Sequence, residues 1–331
     1  MTTSRIALNP VAWRPAADIE RPFVRYRSPN RSPAQIRHHA ATSKRVRLSV
    51  IIPTLDGYRN GCLPGLLGQI GDQNCLEYEV FVIQGDPRQG RAINIGAALA
   101  EGDYLLTLDD DTSLPDPATF TKLMAVMDLH PDIGLAGGNN LIPRNAPLFV
   151  KRAMQEIPRR SWTMVDEITD SDLAEHPCLM MRSAEFKQVG GENELIPRGL
   201  DPYLRMEYRR INKRIVVAPG VVYHHLPPAR LSRLLRQFYR NGRQAAFTNR
   251  HFPEWVIETP SDHGPMRPYV ARPLRMCRFP LRLMKALVSL KPIWLLCELC
   301  YGLGFIHEWM AACESPPDRC RGRRREVSPT T

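Results

Sequence analysis

Three carboxylates, Asp109, Asp110 and Asp111, follow one another at the end of the apolar run 104–108. Neighbouring carboxylates repel, and the usual reason to gather hard oxygen ligands is a divalent cation, Mg2+ or Mn2+. Such a cation bridges protein to a diphosphate and neutralises the charge that a departing diphosphate develops. The plain alternative is an acidic turn that only faces water. Position decides for the metal, because ligands of open α/β sheets collect at the carboxyl ends of strands. Asp201, in Gly199-Leu200-Asp201-Pro202, stands where a helix starts and reads by type as a cap. His224 and His225 end an extended segment, and a neutral imidazole ligates metals. Val222 reads as core-facing and shares a strand face with His224, which leaves His225, on the face of Tyr223, as the ligand. Arg230, Arg233, Arg236, Arg240 and Arg243 form a stripe beside Leu231, Leu234, Leu235 and Phe238. That stripe suits phosphate oxygens, and equally a basic helix face on a membrane. Cys297 and Cys300 have no further ligands at zinc spacing and read as core or membrane-facing thiols.

The elements that must position these residues are legible as periodicities. Residues 47–53, 78–83 and 104–108 are continuous apolar runs, the pattern of strands buried on both faces. Residues 91–100 and 117–129 have helical spacing, and 133–138 is a short strand. Helical spacing returns over 200–211 and 229–247, with extended segments at 214–218 and 221–223. Alternating strands and helices define an α/β class with a mostly parallel sheet flanked by helices.

The chain has 331 residues, 43% hydrophobic and 24% charged, with 30 prolines. That composition excludes a wholly disordered chain and a multi-span membrane protein. No secretory pattern opens it, and eight scattered cysteines suit free thiols in a reducing compartment. The net charge of +11 is unevenly spread: residues 1–47 hold 10 Lys/Arg against 2 acids, and 267–310 hold 7 against 2. The central block, 48–266, is slightly acidic. Basic flanks around such a core suggest an anionic membrane surface, and no nucleic acid partner is expected.

The block 48–242 resembles an inverting family 2 glycosyltransferase of the GT-A fold. Five motifs carry the resemblance, in the family's order. Ser49-Val50-Ile51-Ile52-Pro53-Thr54 resembles its first strand, and Gly90-Arg91-Ala92-Ile93-Asn94-Ile95-Gly96 its Gly-x-x-x-Asn-x-Gly helix start. Leu108-Asp109-Asp110-Asp111 resembles its Asp-x-Asp turn. Cys178–Arg182 with Val189-Gly190-Gly191 resembles its acceptor-side strand and Gly-rich turn. Gly199-Leu200-Asp201 through His224-His225 resembles its acidic-motif helix and the strand beyond.

The resemblance implies that Asp201 is the catalytic base and that Asp111, with His225, holds the metal. It implies a donor site of Pro53, Thr54, Asp56, Gln84, Asp86, Arg91, Asn94, Asp109 and Asp110. Gln237 and Arg240, in a Gln-x-x-Arg motif, join them on the diphosphate. Asn241 stands where processive relatives carry Trp, which speaks against polymer synthesis. Two departures are clear: Gln84-Gly85-Asp86-Pro87 replaces Asp-Asp-Gly-Ser, and Leu200 and Tyr203 stand at acidic positions.

The sequence therefore divides into a disordered segment 1–45, a GT-A domain 46–265, a basic and apolar helical extension 266–312 that associates with membrane, and a disordered tail 313–331. Trp294 and Trp309 flank the most apolar stretch as interfacial aromatics. The expected activity is metal-assisted, inverting, non-processive transfer from a nucleotide-diphosphate sugar to a sugar, lipid-linked or small-molecule acceptor. The expected place is the cytoplasmic face of a membrane. A nucleotidyltransferase would need a Gly-rich basic loop after the first strand, and Thr54-Leu55-Asp56-Gly57-Tyr58 is not one. A non-catalytic adaptor would have no reason to keep Asp109, Asp111 and Asp201.

Overall fold

In the computed structural model, residues 12–39, 45–158, 163–260, 262–264 and 272–311 are described. The tail 313–331 lies outside them. The apolar runs form β3 (Leu48–Thr54), β4 (Tyr78–Gln84) and β5 (Tyr104–Thr107), paired in parallel through the central β3. β7 (Ile133–Asn140) and β10 (Arg214–His225) form a second parallel pair. The two pairs are joined by β9 (Leu179–Arg182), antiparallel to both β5 and β7. The two extended segments expected at 214–223 are one strand, with a register irregularity between Val217 and Val222.

Alternation in the strands sends side chains into two cores. On one face Val50, Ile52, Val80, Val82 and Leu106 pack with α1 (Cys62–Gly71) and α3 (Thr119–Leu129). On the other, Ile51, Phe81, Ile83 and Leu105 meet α2 (Gln89–Leu99), α5 (Ser183–Gln188) and α6 (Leu200–Arg210). This is a three-layer α/β arrangement. Short strands β6 (Thr112–Ser113) and β8 (Thr169–Asp170) pair with β10.

The expectation of disorder over 1–45 does not hold for residues 12–39. β1 (Arg14–Pro15) pairs with β2 (Gln35–His39), and β2 runs antiparallel to β4 at the sheet edge. Between them the chain crosses the α2/α6 layer. Arg21 meets Glu194 at 2.9 Å with both side chains buried, and Arg25 meets Glu207 at 2.6 Å. Tyr26 packs on Tyr203 and Trp255. Periodicity missed this segment because its order comes from side chains far along the chain.

α7 (Leu231–His251), α8 (Arg272–Val288) and α9 (Pro292–Met310) follow the sheet, with α4 (Leu148–Glu156) beside them. α7 and α9 approach until their backbones touch. A Cβ on Gly242 would stand 2.0 Å from the Tyr301 carbonyl oxygen, and one on Gly304 2.0 Å from that of Tyr239. Ala153, Ile157, Leu234, Ile293 and Cys297 form the small core between these helices. Trp294 is not interfacial: it is buried and donates its indole N–H to Glu298, whereas Trp309 is 42% exposed. No described helix is long and apolar enough to cross a membrane.

Candidate active site

Thr54 at the end of β3, Gln84 at the end of β4 and Asp109–Asp111 just beyond β5 share the carboxyl edge of the parallel strands. Here the backbone turns away from the sheet, with the Thr112 N–H bonded to the Asp109 carbonyl. β10 then brings His225 opposite Thr112. His225 Nε2 lies 3.2 Å from Asp111 Oδ1 and 3.8 Å from Asp109 Oδ2. These three residues form a cluster whose ligand atoms all lie within 4.8 Å of one another. Two carboxylate oxygens and one imidazole suit Mg2+ or Mn2+. Cis ligands bound at about 2.1 Å stand about 3 Å apart, and the two measured spacings are of that order. His225 is thus the histidine at the cluster, but the reason given for it fails. Tyr223 is the core residue at 1% exposed and Val222 is half-buried, while His224 bonds the Leu141 carbonyl.

The carboxylates of the turn have separate partners. Asp109 accepts from Gln89 Nε2 at 2.9 Å, and burial pushes its pKa up to about 6 against the pull of His225. Asp111 is held well below the usual range: burial opposes this, but His225 and Arg59 outweigh it. Asp110 is bound by Thr54 Oγ1 at 2.7 Å and faces Arg59 Nε at 3.4 Å; burial raises it. Arg59 comes from the turn that Asp56 caps, where Asp56 Oδ1 accepts the N–H groups of Tyr58 and Arg59. Arg59 and Asn60 have φ of 50° and 55°, a strained backbone worth about 1–3 kcal/mol each. From this turn the guanidinium reaches Asp111, 2.8 Å away. Half-buried Pro53 and Gln84 border the same turn, with Gln84 against Gly57.

Asp201 opens α6 after Gly199, whose φ of 90° suits glycine. Its Oδ1 accepts the main-chain N–H of His176 at 2.8 Å. Asp109 and Asp201 lie close enough that each charge affects the cluster. The sheet edge therefore carries an Asp-Asp-His trio that could hold a cation, with a further carboxylate beside it.

Three expected donor contacts are spent elsewhere. Asn94 is wholly buried, and its amide bonds the Glu192 N–H, the Glu192 carbonyl and Glu194 Oε1. Arg91 and Asp86 pair with each other at 2.7 Å, closed in by the Asn30 carbonyl and Ser32. Burial forces these polar groups to satisfy one another, so they tie α2 to the segments around it. Gly90 and Gly96 serve the same packing, since a Cβ at Gly96 would come within 2.5 Å of Ile51. Gln237 is half-buried and Arg240 exposed on α7, and neither bonds the acidic trio among the described residues. Leu200 and Tyr203, at the acidic positions, are core residues.

Sequence reasoning missed Arg59, Gln89, His176 and Glu192. Only Glu192 carried a signal, since it follows the Gly190-Gly191 turn.

Residues 73–185 match Glycosyl transferase family 2. No curated protein sequence matches the chain. Among solved structures, the mannosyltransferase PcManGT from Pyrobaculum calidifontis, in complex with GDP-Man and Mn2+, superposes with a TM-score of 0.51 at 13% identity. The match covers 82% of this chain and 89% of that one. S. aureus TarS 1-349 in complex with UDP-GlcNAc gives a TM-score of 0.43 at 16% identity, over 61% and 66% of the two chains. About a third of the chain thus matches a family 2 glycosyl transferase segment, and the fold that carries it is similar to that of a GT-A glycosyltransferase.

Proposed function

We propose that the protein transfers a glycosyl unit from a nucleotide-diphosphate sugar to an acceptor hydroxyl, with inversion and without processivity. The observation that carries the reading is the trio Asp109, Asp111 and His225 at the sheet edge, with Asp201 beside it. Asp201 takes the proton of the acceptor hydroxyl as its oxygen bonds the anomeric carbon. The bond from that carbon to the diphosphate breaks on the opposite side, which inverts the centre. Asp109, Asp111 and His225 would hold Mg2+ or Mn2+, which supplies the charge to stabilise the leaving diphosphate. Arg59 fixes the Asp111 carboxylate, and Thr54 fixes Asp110. Asn241, buried where a processive enzyme carries Trp, supports single transfer. The acceptor is a sugar, a lipid-linked sugar or a small molecule.

We place the enzyme at the cytoplasmic face of a membrane. Leu296, Leu299, Leu303 and Ile306 are exposed on α9, as are Leu281, Met284, Leu287 and Val288 on α8. Such a face beside a basic segment suits an anionic surface.

Thermal unfolding with Mn2+ and either UDP or GDP tests the donor site: stabilisation by one pair is expected, and none by any pair refutes it. Asp201→Asn is expected to keep that stabilisation and to lose about 10²-fold or more in turnover of a nucleotide-sugar panel. Leu299→Glu with Leu303→Glu is expected to abolish sedimentation with anionic liposomes at an unchanged melting temperature; retained sedimentation refutes the membrane face.

A further inference from the structure

We propose that His176 is a positioning residue for Asp201, held between Asp201 and Glu192 so that the base keeps its orientation and its charge. The proposal rests on reading Asp201 as the base.

His176 lies in a 3-10 turn leading into β9, with 2% of its surface exposed. It reaches Asp201 twice. Its main-chain N–H donates to Asp201 Oδ1 at 2.8 Å, and its ring Nε2 lies 4.0 Å from the same oxygen. Nε2 also lies 3.0 Å from Glu192 Oε1, and Glu192 is wholly buried. On the other side of the ring, Nδ1 is 3.0 Å from Thr107 Oγ1. That hydroxyl has one proton, and its other neighbours are the carbonyls of His176 and Leu179. With that proton on a carbonyl, the hydroxyl is free to accept from Nδ1–H. Nε2 faces the carboxylates of Glu192 and Asp201. This setting favours a donor on both nitrogens, the imidazolium form.

The arrangement is a buried row, Glu192, His176, Asp201, in which burial raises the Glu192 carboxyl against the pull of His176. Asp201 alone of the three is open to the cleft, with 29% of its side chain exposed against 0% and 3%. The charged groups around the ring are Asp201 from α6, Glu192 from the turn after α5 and Asp109 beyond β5; Arg205 of α6 acts on Asp201 from behind. Burial alone would strip the His176 proton, but Asp201, Glu192 and Asp109 push its pKa up to about 9. Burial alone would also protonate Asp201, and His176 followed by Arg205 holds it below the ordinary range. A base must be ionised before it can accept a proton, so the cation matters most on the acid side of the rate profile.

The test uses the full-length protein and whichever of UDP-GlcNAc or GDP-mannose it hydrolyses, with water in place of the acceptor. Turnover is measured from about pH 3.5 to 9, because a carboxyl held below the ordinary range ionises below about pH 4. His176→Gln is expected to move the acid limb up by about one unit. The loss is then about tenfold on the acid side and narrows as pH rises, with KM for the donor within about twofold. An unshifted limb, a loss equal at every pH, or a KM that rises in step overturns the proposal. If His176→Gln does not fold, Glu192→Gln decides. It keeps the ring and removes the like charge near Asp201, so the limb stays or moves down, and an upward shift overturns the proposal. If neither nucleotide sugar is turned over, a double-mutant cycle in thermal unfolding between His176→Gln and Asp201→Asn decides. Non-additive losses are expected, and additive ones overturn it. Full turnover by Asp201→Asn refutes the base itself and separates that failure from failure of the His176 assignment.

Discussion

Replacing Arg21 by alanine should unfold the protein earlier by an amount its contacts specify. Arg21 Nε donates to Glu194 Oε1 at 2.9 Å and its NH2 group to Oε2 at 3.4 Å, with the two side chains 3% and 0% exposed. Without Arg21, the Glu194 carboxylate keeps two neutral donors, the Ser28 N–H at 2.9 Å and Asn94 Nδ2 at 3.1 Å. Stranding one partner of a buried pair costs about 3–5 kcal/mol. The two remaining donors set the loss near the lower figure, about 3 kcal/mol. At about 2.1 cal/mol/K per residue the unfolding entropy of a chain this long is about 0.6–0.7 kcal/mol/K, so the melting temperature should fall by about 4–5 °C. Scanning calorimetry at neutral pH measures it. Arg21→Ala with Glu194→Gln should recover over half of the loss, because a neutral amide no longer requires a buried cation. A drop of under about 2 °C would mean that Glu194 rehydrates as the segment 12–39 lifts away, and the segment would then not be integral to the domain.

Asp111→Ala should fold and lose the Mn2+-dependent stabilisation by nucleoside diphosphate; stabilisation equal to wild type would remove Asp111 from the metal trio. Gly304→Val should destabilise by several kcal/mol, since its Cβ would meet the Tyr239 carbonyl oxygen at 2.0 Å and part α7 from α9. A melting temperature within about 1 °C of wild type would contradict that contact. His176 has a raised pKa in the fold, so the stability it lends is whole below 6.5 and fades as pH climbs through about 9. The melting-temperature gap between wild type and His176→Gln should narrow over that window, and a constant gap refutes the linkage.

The parallel strands were legible because burial on both faces leaves an unbroken apolar run closed by a breaker or an acid, as in 48–53 and 104–108. Partner choice was not, since nothing local in Cys178–Arg182 says that this strand runs against both neighbours. The acidic turn was legible from its position, and Asp111 and His225 do meet. The alternation argument for His225 misjudged Tyr223, because an aromatic hydroxyl at a strand end reads as surface while its ring fills the core. Asp86, Arg91 and Asn94 were placed on the donor because they are polar residues inside or beside motifs. A sequence does not show whether a polar group spends its hydrogen bonds inward, and these three do. The order of residues 12–39 was hidden for the same reason: Arg21 and Tyr26 are ordinary until Glu194 and Trp255 stand opposite them.

The 173 positions between Arg21 and Glu194 have a consequence during synthesis. The amino-terminal segment leaves the ribosome first, yet every anchor for it is made later: β4, then the 190–194 turn, then Glu207 on α6. At about 5–20 residues per second, Arg21 waits about 10–35 s for its carboxylate. From the completion of β4 until Glu194 is made, β2 covers the edge of β4 without its other anchors, and an edge so weakly held is able to pair with other extended chain nearby. Closing the sheet with the first-made strand makes completion of the domain an event of late translation, and nascent chains stalled before residue 194 should be the form most prone to aggregate.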